Sequence, residues 1–283
     1  MAAFALAALR ALHTSSDTQE RQAANRWLVE FTASSEAFSA ARELVLSGDE
    51  PAAFFGACTL HIKVAAEWHG MGEAERAAVC NELWKLLAAP DVSPLVGGRL
   101  ALALAAAAGR SAGGEAQFVG QAIGMLREPR TRLLALRLLG AAADEFDPAA
   151  SRRLSRDQDE GARTLSAAWP EVWRALAEAL AALGRERHAS APGTAALGPE
   201  SQDAVCLCLS SARALLRWAP LPCRAAGGGS VPQDASSELA LLIGAACDWI
   251  AGVGGGDVEA VWPRTCLTSR CGIATKSGSQ HRS

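Results

Sequence analysis

"SPLVGGRLALALAAAAG", residues 93–109, decides the fold. Ser93 can accept from the orphan backbone N–H groups of a helix start, and Pro94 stands at the first helical position, where its missing N–H costs nothing. The rest is apolar on nearly every side, so this helix must be surrounded by other protein. It is too short and too rich in glycine for a membrane span, which needs about 20 apolar residues.

Composition narrows the surroundings. Half of the 283 residues are apolar, a fifth are charged, and alanine dominates. Alanine is the best helix former and β-branched residues are sparse, which points to an all-α chain. A net charge of −3 argues against a general nucleic-acid binder, since neutralising phosphates needs a basic surface. The eight cysteines are scattered, several within apolar helical runs, and suggest no disulfide framework, so a reducing compartment is expected. "MAAFALAALRALH" lacks the basic start of a signal peptide, and Arg99 and Arg110 break the longest Ala/Leu run. No membrane insertion is expected.

Along the chain one unit returns. Helices are predicted over about 2–13, 17–33, 35–47, 50–69, 72–89, 93–109, 114–127 and 130–146. Asp17 and Glu20 are spaced as a capping box, Ser47-Gly48 marks a stop, and Pro90 halts the fifth helix. A ninth helix is predicted over about 157–187 with a kink at Pro170, a tenth over 200–218 and an eleventh over 234–252. No run alternates with period two. Two-helix units of about 35–50 residues are the signature of a HEAT-like α-solenoid, in which stacked neighbours supply the core. A compact helical bundle is the alternative. Within residues 93–109, Gly97 and Gly98 are expected to admit a neighbouring helix closely. Residues 254–283 carry no helical period and read as a disordered tail. The eleventh helix is too apolar to cap a solenoid, so the chain is expected to be the N-terminal part of a longer one.

Reactive chemistry finds no support. His61 and His69 have no acidic or cysteine partner at metal-ligand spacing, and Cys206-x-Cys208 on a helix points its sulfurs to different faces. The glycine runs at 227–230 and 252–257 follow no strand and precede no GK[ST], so they read as linkers. No enzyme, metal or cofactor is expected. The helical tryptophans, Trp27 and Trp68 among them, read as packing between repeats.

Four stretches resemble the N-terminal half of the importin-β (karyopherin-β) family, nearest its transportin-SR and importin-thirteen branch. In "DTQERQAANRWLVEF", Glu20, Arg21, Ala24, Trp27 and Leu28 match the second family helix. In "AFFGACTLHIKVAAEW", Phe54, Phe55, Ala57, Thr59, Leu60 and Lys63 match the next pattern without a gap. Ser93, Pro94 and Leu100 to Ala103 match a third, although Ala106 stands where the family often has Asp. Leu215 and Trp218 match a fourth, and Asp144-Glu145 falls where the branch carries an acidic pair.

The resemblance implies a nuclear transport receptor that shuttles between nucleus and cytoplasm. Residues 1–110 would be the repeats that grip the GTP form of the small GTPase Ran, and 111–253 further repeats of the arch. The other implied partners are protein cargo, serine/arginine-rich factors in this branch, and the phenylalanine-glycine repeats of the nuclear pore. A generic α-solenoid scaffold is the alternative. Helices 17–33 and 50–69 each have one apolar face, which leaves the opposite face for a partner. Gln22, Asn25 and Arg26 on the first, and Thr59 and Lys63 on the second, are the candidate Ran contacts. A lysine also recurs in the family at the place of Lys63.

Overall fold

The computed structural model describes residues 1–146 together with residues 168, 170–183, 185, 204, 207 and 208. Among them all regular structure is helical. Helices α1 (Ala2–Thr14), α2 (Thr18–Ala33), α3 (Ala37–Val45) and α4 (Glu50–Glu67) are followed by a 3-10 turn at Trp68–Gly70. Then come α5 (Glu73–Leu87), α6 (Pro94–Ala108), α7 (Gly114–Leu126) and α8 (Arg132–Glu145). Residues 170–183 are helical too, and Pro170 belongs to that helix. Most of the expected helix at 200–218, all of that at 234–252, the tail from 254 and the Leu215–Trp218 match lie outside the described residues.

The helix boundaries follow local chemistry. The Asp17 carboxylate accepts from the Gln19 N–H at 2.8 Å and starts α2. Glu20 completes the capping box indirectly: the Ser15 hydroxyl donates to Glu20 at 2.5 Å and accepts from the Asp17 N–H at 3.1 Å. Asp49 accepts from the Ala52 N–H to start α4, with Pro51 in its first turn. The Ser93 hydroxyl accepts from the Val96 N–H at 3.5 Å ahead of α6. After α3 the chain turns through Gly48 at φ 75°, a conformation that favours glycine. At the end of α4, Arg76 closes the turn. It donates to the carbonyls of Trp68 and His69 at 3.0 and 3.2 Å and lies over the Trp68 ring.

The helices pair as α1 with α2, α3 with α4, α5 with α6 and α7 with α8. The even-numbered members also pack on one another in series, α2 on α4, α4 on α6 and α6 on α8. They run in the same direction. Arg99 meets Phe54 near the starts of α6 and α4, and Arg110 meets Ala65 near their ends. Helix α6 therefore touches α4, α5, α7 and α8, which explains why residues 93–109 are apolar on nearly every side. The core crosses residue 110 without a break. Its larger part runs from Leu60 and Leu83 through Leu100 to Leu136 and Leu139, and a smaller one joins α1, α2 and α3.

The glycines of α6 do not act as expected. A Cβ on Gly98 would meet nothing within 4 Å, and one on Gly97 would meet side chains, the end of Arg137 and Val92, rather than the backbone of a neighbouring helix. The close helix approach is at Gly56 instead, where a Cβ would lie 2.6 Å from the Ala41 carbonyl oxygen on α3. The reason is the pairing: α4 lies flat on α3, whereas Gly98 sits on a side of α6 that no helix covers tightly. Leu60 is fully buried as its phase predicts, and Trp27 is half-buried and stacked on Phe31 with ring centroids 5.3 Å apart. No helix among the described residues is long and apolar enough to cross a membrane.

Candidate partner-binding surface

On α2 the buried stripe is Ala24, Leu28 and Phe31, which turns Gln22, Asn25 and Arg26 outward. All three are exposed, as helix geometry predicts. On α4 the expectation fails. Thr59 is 0% exposed and Lys63 is 3% exposed, so neither presents a face to a partner. The Thr59 hydroxyl donates to the Phe55 carbonyl one turn back, at 2.9 Å. The Lys63 ammonium donates to the Ser34 carbonyl at the end of α2, at 2.9 Å, and pairs with Glu67 one turn on. A cation at a helix C-terminus satisfies an orphan carbonyl and complements the helix dipole. Lys63 is thus a tie between α4 and α2, its aliphatic stem buried among apolar neighbours.

The cause lies in the position of α4. With α3 beneath it and α2 and α6 on its flanks, three sides are covered, and the polar residues fall on a covered side. The free strip runs through Phe55, Cys58 and Ile62, roughly opposite Gly56 at 100° per residue. Ile62 is 51% exposed and the other two are half-buried. Nothing in the polarity pattern marks this strip, since it is as apolar as the core. On α6, Leu95 is exposed and Leu102 half-buried, and the Arg99 guanidinium lies 5.5 Å from the Phe54 ring centroid. The even-numbered layer therefore offers a largely polar strip on α2 beside apolar strips on α4 and α6.

The described thiols, Cys58 on α4, Cys80 on α5 and Cys208, are all shifted toward the protonated form. Burial pushes the Cys58 thiol up, and nearby Arg99 only partly offsets this. Burial likewise raises Cys80, and it raises Cys208 to about 12, where the thiol donates to the Leu176 carbonyl at 3.7 Å. None is poised as a nucleophile, which needs the thiolate. Cys206 lies outside the described residues. Among the described residues no group of three or more His, Cys, Asp or Glu side chains could hold a metal ion.

At the other edge of the layer the acidic pair at the end of α8 is engaged. Arg110, just past α6, donates through Nε to the Ala65 carbonyl on α4 at 3.1 Å. Its Nη1 reaches the Ala106 carbonyl and Glu145 Oε1, both at 2.9 Å. His61 Nε2 lies 3.6 Å from Glu145 Oε2, so the histidine that lacks a partner in sequence finds one across the layer. Burial acts to raise the Glu145 carboxyl, but His61 and the hydrogen-bonded Arg110 guanidinium beside it outweigh this and hold it below the ordinary value. Protein-family models and curated proteins were both compared with this sequence, and none matches it.

Proposed function

We propose that the chain carries the N-terminal HEAT-like repeats of a nuclear transport receptor of the importin-β type. It would bind the GTP form of Ran through the exposed strips of α2, α4 and α6 and carry protein cargo between cytoplasm and nucleus. The observation that supports this most is the serial packing of α2, α4, α6 and α8, each paired with the odd-numbered helix before it. Such stacking is how helical repeats build an extended binding face. The matched motif residues in the first three stretches fall on α2, α4 and α6 of this layer. With Thr59 and Lys63 buried, the contacts proposed are Gln22, Asn25 and Arg26, joined by Ile62 and Arg99. No covalent chemistry is involved; GTPase and cargo would be linked by a coupling free energy.

A scaffold for protein assembly is the second reading. The apolar strip on α4, where a receptor was expected to present polar residues, favours it. A titration of the full chain with Ran loaded with a non-hydrolysable GTP analogue, and then with GDP, separates the two. The receptor reading expects binding of the GTP form only, weakened by Arg26→Glu and by Ile62→Asp, which both lie on the surface. Equal binding of the two forms, or none by the folded parent, leaves the scaffold.

A further inference from the structure

We infer that Arg110, Glu145 and His61 form a lock that fixes the angle between α4, α6 and α8, so that the ends of these helices open together rather than one by one. Helix α6 separates the other two along the layer, yet the three side chains bridge all of it. The planar Arg110 fork donates to a carbonyl of α4, a carbonyl of α6 and a carboxylate of α8 at once. His61 Nε2, one turn before Ala65, lies 3.6 Å from the second oxygen of that carboxylate. The side chains of Arg110 and Glu145 are each 18% exposed, so water screens the pair less than it would a surface ion pair.

The packing beneath explains why a lock is needed. Ala101 and Ala105 on α6, and Ala135 and Ala142 on α8, are buried where these helices meet the core. They stand there beside the larger Leu100, Leu104, Leu136 and Leu139, and since apolar burial is non-directional this packing holds the helices together without the directional constraint of a hydrogen bond. Directional bonds at one end supply that constraint. Among the described residues, Asp144 beside Glu145 and Glu115 at the start of α7 are further charged groups toward this end of α8. The inference does not depend on the transport reading.

The test is hydrogen exchange of the full chain at neutral pH, followed peptide by peptide in the parent, Glu145→Gln and Arg110→Lys. Loss of hydrogen bonds to a charged group shifts a local opening equilibrium by about tenfold or more. Glu145→Gln should speed exchange by about that factor at both 62–67 and 141–146, leaving α1 to α3 at the parent rate. Arg110→Lys keeps the charge but cannot span three acceptors, and should give the same pair of changes. Acceleration confined to α8 would overturn the lock and reduce Glu145 to a local end contact. Unchanged exchange in both variants would overturn it as well. If Glu145→Gln fails to fold, Arg110→Lys alone decides between these outcomes.

Discussion

Lys63 is where chemistry and position part company. A lysine in an amphipathic pattern reads as outward because exposure is the usual fate of an ammonium group. Here its Nζ is spent on the Ser34 carbonyl and on Glu67. Lys63→Met should cost about 1–3 kcal/mol, the range for removing one partner of a buried hydrogen bond. Glu67 is 48% exposed and stays hydrated, which keeps the cost from rising further. Lys63→Glu should cost more, since it sets a carboxylate against Glu67 and a carbonyl oxygen. Alanine at Gln22, Asn25 or Arg26 should stay within about 0.5 kcal/mol of the parent. Urea unfolding midpoints of the five variants give this order, and a parent-like Lys63→Glu would contradict the burial. The exposure of Gln22, Asn25 and Arg26 was legible because Ala24, Leu28 and Phe31 leave a clear opposite face. The burial of Thr59 and Lys63 was not, because polarity stands in for exposure only when a helix has one covered side.

At the level of elements, the starts and stops were written locally. Asp17, Asp49 and Ser93 act as caps and Gly48 turns the chain, each within a few residues of where its chemistry places it. Close approach between helices is different, because it depends on which faces meet, and no single segment contains that. Gly56 and Gly98 make the contrast measurable. Both lie inside helices, where alanine is favoured by about 1 kcal/mol over glycine. Gly98→Ala has open space for its methyl group and should raise stability by about 0.5–1 kcal/mol. Gly56→Ala would force the Ala41 backbone away from a 2.6 Å approach, so it should lower stability despite the better propensity. Thermal unfolding of the two variants would show shifts of opposite sign; a stabilised Gly56→Ala would mean that α3 and α4 are not in this contact.

Across the whole molecule, stability is linked to pH through the end of α8. Glu145 is held below the ordinary glutamate value of 4.5, so the folded state binds its proton less readily than the unfolded chain. Its contribution is fully present above that value and is lost as the pH falls through the lower, folded one. Melting temperatures of the parent and Glu145→Gln, taken from pH 6 down to pH 3, should converge toward the acid end. A gap that stays constant would show that the carboxylate is not engaged. The serial packing of the even-numbered helices was legible from paired periodicity, whereas the arginine that joins three of them was not, since Ala65, Ala106 and Glu145 are far apart in the chain. Two polar ties lie at one edge of the layer. Lys63 meets the end of α2, and Arg110 meets the ends of α4 and α8. At the opposite edge, near the helix starts, Arg99 rests on the face of Phe54, a contact that tolerates sliding. The layer is thus clasped along the Arg110 edge: because Arg110 reaches three helices, a pull on the end of any one of them is carried by the other two.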